Sequence, residues 1–158
     1  MVQIAIIVGS TRPGRGGRIV AEWVAAQAAQ EQPGAGFDIV DLADFAPPML
    51  DEPQPALFGR YRNAHTVRWA ETVARFDGFV FVTPEYNYSI PAALNNALDF
   101  LHLRLILAEL HQDFTFSEAT EPGEFGPGPH QHQALAAMLD EVVVRSRALT
   151  QVRVGACA

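Results

Sequence analysis

Apolar and polar positions change period several times along the chain, and each change marks an element. Ile4-Ala5-Ile6-Ile7-Val8 is a continuous β-rich apolar run ending at Gly9, the pattern of a strand buried on both faces in a parallel sheet. After a polar loop at 10–17, Ile19, Val20, Trp23, Val24 and Ala28 fall at helical spacing, and Pro33-Gly34 closes that helix. Phe37-Asp38-Ile39-Val40-Asp41-Leu42 alternates as a second strand, completing a right-handed βαβ unit. The stretch 44–60 carries Pro47, Pro48, Pro53 and Pro55 and is a loop. Val67, Trp69, Ala70, Val73 and Ala74 predict a helix over 65–76, and Gly78 to Thr83 a third apolar strand. Residues 84–91 turn, and Pro91 suits the start of a helix over 92–101.

The alternation then breaks. An α/β chain owes a strand here, yet 102–111 (HLRLILAELH) reads as helix and abuts the preceding one, with Leu94, Leu98, Leu101 and Leu105 in one stripe. Residues 112–129 form an acidic Pro/Gly loop whose strand-like fragment is Phe114-Thr115-Phe116. The last helix, 131–149, has Leu135, Met138, Leu139, Val142, Val143 and Ser146 at helical spacing. Trp23 and Trp69 lie on apolar helix faces and belong to the core. No internal repeat is visible, and 158 residues suit one domain spanning 1–158.

Composition narrows the class. The chain is 49% hydrophobic and 18% charged, as globular proteins are. A net charge of -7 argues against nucleic acid and anionic membrane as partners. A single cysteine, Cys157, forms no disulfide framework and suits a cytoplasmic location. Neither a signal peptide nor a membrane span is readable. His130-Gln131-His132 has metal-like spacing but no carboxylate partner, so it reads as surface and no metal site is expected.

Two loops carry candidate chemistry. Gly9-Ser10-Thr11-Arg12-Pro13-Gly14-Arg15-Gly16-Gly17-Arg18 joins a buried strand to a helix, whose start offers unpaired N–H groups and a positive dipole end to a phosphate. Ser10 and Thr11 add hydroxyls, and Arg12, Arg15 and Arg18 add positive charge with no acid nearby in the sequence. Arg15-Gly16 replaces the Lys-Ser/Thr of a Walker loop, and G-x-G-x-x-G is not matched. The competing reading is a βα turn with solvated arginines. The second loop, Thr83-Pro84-Glu85-Tyr86-Asn87-Tyr88-Ser89-Ile90-Pro91, follows strand three. Ligands of open α/β sheets sit beyond the carboxyl ends of strands where strand order reverses, here between strands one and three. Backbone groups held between Pro84 and Pro91 suit the polar edge of a planar ring, with Tyr86 or Tyr88 stacking on it. The competing reading is a loop whose tyrosines pack locally.

With these residues in view, the chain resembles the NADPH-dependent FMN reductases. Gly9-Ser10-Thr11-Arg12 carries the likeness, with Pro84-Glu85-Tyr86-Asn87 running into Ser89-Ile90-Pro91-Ala92-Ala93-Leu94 and Asn96-Ala97-Leu98-Asp99. The resemblance implies an α/β flavodoxin-like, doubly wound parallel sheet. It implies FMN as cofactor, with Ser10, Thr11, Arg12, Gly16 and Gly17 around the phosphate and Pro84, Glu85, Tyr86, Asn87 and Ser89 along the isoalloxazine. NADPH or NADH is the implied co-substrate, with a small-molecule electron acceptor such as a flavin, quinone or dye, and a homodimer or homotetramer as the assembly. No catalytic acid–base pair is expected, because the cofactor carries the chemistry.

The chain departs from the family pattern at two places. Asn95 stands where the family usually has Lys. The family's fourth strand, its Gly-rich loop and its fifth strand are missing, the first two between Leu101 and His102. If the chain is continuous there, 92–110 forms one long helix; the resemblance favours omitted residues instead. The missing loop keeps two rival readings open, a flavodoxin-like FMN carrier without reductase activity and an inactive remnant held in an oligomer.

Overall fold

β1 (Val2–Val8) pairs in parallel with β2 (Ala35–Asp41) on one edge and β3 (Gly78–Val82) on the other, giving the strand order β2-β1-β3. The computed structural model describes residues 1–101 and 125–155. The helix expected over 102–111, the fragment at 114–116, the acidic stretch 112–124, the bond between Leu101 and His102, and Cys157 lie outside the described residues. α1 (Gly17–Glu31) joins β1 to β2 and α2 (Ala64–Val73) precedes β3, while α3 (Ala92–Asp99) and α4 (Pro129–Gly155) follow it. The proline-rich stretch 44–60 holds the short 3-10 turn Ala56–Phe58, and another, Leu42–Asp44, follows β2 directly.

The period-2 geometry of β1 builds two cores. Val2, Ile4, Ile6 and Val8 point to one face, where they meet Ala21, Val24 and Ala28 of α1 and Leu135 and Leu139 of α4. Ala5 and Ile7 point to the other, against Trp69 and Val73 of α2 and Leu94, Ala97 and Phe100. Helices thus cover both faces of a parallel sheet, the doubly wound arrangement that the continuous apolar run of β1 implies. Trp69 is 1% exposed, and its indole N–H donates to the Ala97 carbonyl at 2.9 Å, which ties α2 to α3. Trp23 is half-buried beside the first core, edge-on to His132 at 5.3 Å between ring centres. His132 also bonds the Gly128 carbonyl through Nδ1 at 2.9 Å, a packing role.

Helix ends differ from the sequence pattern. α4 runs from Pro129 to Gly155, longer than the periodic stripe at 131–149. α3 stops at Asp99, with Phe100 as C-cap and Leu101 outside the helix. An unbroken helix from 92 onward therefore does not form. The physical reason is local: Leu101 N–H bonds the Leu98 carbonyl at 2.9 Å, a tightened last turn, while Phe100 turns into the core at 1% exposure.

The long loop is pinned by polar contacts. Buried Asn96 donates to the Pro48 carbonyl at 2.7 Å and accepts from Leu50 N–H at 3.0 Å. The Glu52 carboxylate accepts from Arg62 and Asn63 N–H just before α2, and Asp51 pairs with His65 Nε2 at 3.0 Å. The His65 hydrogen bond holds the Asp51 carboxyl below its ordinary value. At Glu52 burial pushes upward, but the two N–H donors outweigh it and the net shift is also downward. Carboxyls lowered in the fold contribute stability that is full above their unfolded values and is lost as pH falls through the folded ones. Pepsin cleavage across 44–63 should therefore accelerate, relative to a fully unfolded substrate, as pH drops below about 4. Asp51→Asn should lower hydrogen-exchange protection there already at neutral pH and flatten the acid response. An equally steep response in the variant would count against the Asp51–His65 contact.

Candidate flavin-phosphate and ring loops

Gly9 roots the first loop. Its N–H donates to the Val82 carbonyl at 2.9 Å, so the chain leaving β1 starts beside the chain leaving β3. A Cβ at Gly9 would lie 2.7 Å from Leu94 Cδ2, which keeps this position bare against α3. Ser10 is then 4% exposed, whereas Thr11 and Arg12 face solvent. Residues 12–15 fold back on themselves: Arg15 N–H bonds the Arg12 carbonyl at 3.3 Å, and Gly14 has φ +72°. Pro13 before a positive-φ glycine is the signature of a type II turn. The next residue, Gly16, is the N-cap of α1, has no capping side chain, and is followed by a first turn without acids. Among the described residues, the N–H groups of Gly16, Gly17 and Arg18 find no acceptor. That is an open helix start with its positive dipole end toward solvent, a ready anion site.

The charge around it differs from the sequence reading, in which the three arginines had no acid nearby. Register pairs Val8 with Asp41, so the last residue of β2 arrives beside the loop from across the sheet. Arg15 Nη2 donates to both Asp41 oxygens, at 3.0 and 2.8 Å. Arg18 Nε donates to Glu22 at 2.9 Å, and its Nη1 stands 3.9 Å from Asp41. The Arg12 guanidinium makes no hydrogen bond or ion pair with any described residue, and is the loop's unneutralised cation. Asp41 escaped the sequence reading because the pairing spans 26 residues. Its signal was an acid closing an otherwise apolar strand.

The second loop is shaped by backbone. Tyr86 and Ser89 exchange N–H to carbonyl bonds at 2.9 and 3.1 Å, with Asn87 at φ 53° and Tyr88 at φ 63°. Two central residues at positive φ make a type I′ turn. Asn tolerates that region, but Tyr rarely occupies it, and such residues cost on the order of 1 kcal/mol or more. The Glu85 carboxylate supports the turn by accepting the Tyr88 N–H. Tyr86 is 39% and Tyr88 fully exposed, so the reading in which these tyrosines pack locally does not hold. Pro84 is half-buried, while Asn87 and Ser89 are exposed. The fold thus sets 10–17 and 83–91 at adjacent strand ends, at the β1/β3 crevice where strand order reverses. Among the described residues no hydrogen bond joins the two loops beyond their shared root at Gly9 and Val82. Asn95, where the family usually has Lys, is exposed on α3. No helix among the described residues is long and apolar enough to cross a membrane.

The donor set fits the phosphate end of FMN: free N–H groups, an unpaired guanidinium, and the one close acid already neutralised. The chain is 41% identical over 102 residues to an NAD(P)H-dependent FMN reductase of Schizosaccharomyces pombe, covering 63% of this chain and 50% of that protein. It is 37% identical over 108 residues to the NAD(P)H-dependent FMN reductase ntnL of Nectria sp, covering 65% and 53%. It is 32% identical over 99 residues to a 2-hydroxy-1,4-benzoquinone reductase of Burkholderia sp, covering 63% and 49%. The chain therefore spans about half the length of the curated relatives it matches. Among solved structures, FerB, a flavoenzyme NAD(P)H:(acceptor) oxidoreductase of Paracoccus denitrificans, aligns with TM-score 0.49 at 21% identity over 63% of this chain and 50% of that one. A family model described as NADPH-dependent FMN reductase matches residues 2–149, and the chain belongs to that family.

Proposed function

We propose that this chain is an FMN-dependent NAD(P)H oxidoreductase. Hydride passes from NADPH or NADH to bound FMN and on to a small-molecule acceptor, a flavin or a quinone. The observation that carries the reading is the pairing of an uncapped α1 start, beside unpaired Arg12, with a strained tyrosine turn at the next strand end. Family membership agrees with it, and a quinone acceptor is supported by the benzoquinone reductase of Burkholderia sp. In this reading Ser10, Thr11, Arg12 and the backbone of Gly16 and Gly17 hold the phosphate. Pro84, Glu85, Tyr86, Asn87 and Ser89 lie along the isoalloxazine. Glu85 acts through the turn it stabilises, and the exposed Tyr86 ring is free to cover a planar partner. FMN, when bound, supplies the redox chemistry, while the protein supplies position and electrostatics.

We place residues 1–158 in one flavin-binding domain, cytoplasmic, working as a homodimer or homotetramer. Met49, Leu50, Leu57 and Phe58, all exposed on the proline-rich loop, are apolar surface that a second copy would cover. A solution mass equal to one chain would refute the oligomer.

A yellow purified protein, bleached by NADPH under nitrogen, is the expected behaviour of the enzyme. Flavin bound but not bleached would identify the carrier without reductase activity, the reading that the missing Gly-rich loop favours. Charge-assisted hydrogen bonds contribute about 1.5–3 kcal/mol each, so Arg12→Ala should weaken FMN binding by about tenfold or more. Riboflavin, which has no phosphate, should lose little. Equal losses for both ligands would remove Arg12 from the phosphate.

Tyr86→Ala should lower flavin affinity or shift the flavin absorption bands, with an unchanged thermal midpoint. Unaltered affinity and spectrum would exclude ring contact by that side chain.

A further inference from the structure

Asp41 is an acid beside a loop that the flavin reading assigns to an anion, and a bare carboxylate there would repel a phosphate. Its side chain is 5% exposed, and every described partner is a donor: Arg15 Nη2 at 3.0 and 2.8 Å, Ala43 N–H at 3.1 Å, and Arg18 Nη1 at 3.9 Å. Arg15 is 23% exposed, and its Nε is buried without an acceptor. This arginine is turned away from solvent and committed to β2.

We propose that Asp41 is a positioning residue of the phosphate site: it takes Arg15 as a tether that pins the turn at 12–15, and so leaves Arg12 as the cation for a phosphate monoester. The turn explains how the tether acts. Arg15 closes it through the N–H bond to the Arg12 carbonyl, and Gly14 at φ +72° is its most freely rotating point. Fixing the Arg15 side chain to a rigid strand end removes that freedom and aims Arg12 and the N–H groups of Gly16 and Gly17 together. Two NH–carboxylate bonds also cancel the Asp41 charge where the anion would sit. The pair therefore holds the loop and neutralises the acid, and Arg15 is not itself a phosphate ligand.

This inference rests on the flavin reading, and its test separates the two. In the apo protein, Asp41→Asn should accelerate amide hydrogen exchange several-fold at Arg15, Ile19 and Val20, whose N–H groups are bonded within the turn and the helix start, and Arg12→Ala should not. Arg15→Gln breaks the tether from its loop end and should accelerate exchange likewise. No acceleration in either tether variant refutes the tether, whether or not flavin binds. With FMN, Arg15→Gln should lose most affinity, because it frees the loop and uncovers the acid. Asp41→Asn should lose less, about fivefold. The double variant should match Asp41→Asn, not the sum of the two losses. Riboflavin affinity should hold in all three. Tighter FMN binding in Asp41→Asn would make Arg15 a phosphate ligand held in reserve, and additive losses would make the two residues independent; either overturns the proposal. Accelerated exchange in a protein whose wild type binds no FMN would sink the flavin reading and leave the tether standing.

Discussion

β1 is hydrogen-bonded along both edges and buried on both faces, and the candidate site hangs from its last residues. Ile4, Ile6 and Val8 are 0% exposed on one side, and Ala5 and Ile7 are 1% and 2% exposed on the other. Burying each larger side chain is worth about 1.5–3 kcal/mol, so the register of this strand is held from both faces. A slip of one residue would exchange the two faces. It would also separate Val8 from Asp41 and Val8 from Val82, the pairs that bring the end of β2 and the root of the second loop to the first. The chemistry of the loops is thus set by packing elsewhere in the strand.

Legibility in the sequence followed the range of the interaction. The three strands, the two-sided burial of β1 and the stripes of α1, α2 and α4 all stand in local periodicity, which a window of a dozen residues contains. Strand order at the switch point was also accessible, because a βαβ unit followed by a second crossover leaves few arrangements. What escaped is non-local or set by a handful of torsions. Asn96 reads as one more polar helix residue until Pro48 and Leu50 arrive beside it. The positive φ of Tyr88 has no signature in sequence, since type I′ turns are marked by Gly or Asn at those positions. The end of α3 was misread because the leucine stripe continues past it, while Phe100 and a 3-10 bond close the helix.

Charge teaches the same lesson more sharply. Three arginines in seven residues read as a strongly positive loop, yet the fold spends two of them on Asp41 and Glu22. The single remaining cation looks sparse for a phosphate until the helix start is counted. Three N–H groups without acceptors among the described residues, at the positive end of α1, act over hydrogen-bond distance and cost no side-chain entropy to aim. Of the groups that could hold the anion, the backbone N–H groups are fixed in place by the helix, and Arg12 adds the side-chain charge.

The protein as a whole carries -7, which opposes the approach of any phosphate from a distance. Salt screens that opposition beyond about 8 Å under physiological conditions, whereas the contacts inside the loop lie well within that range. Local arrangement therefore decides affinity, and net charge chiefly modulates the rate of encounter. This makes the placement of one acid consequential. Asp41 pointing freely into the loop would add the repulsion that screening cannot remove. Held at 2.8 Å by Arg15, the same carboxylate becomes the fixed point from which the loop is built. An acidic chain can then present a small anion site without becoming a basic protein, and the ion pair that looks like a loss of positive charge is what makes the remaining charge usable.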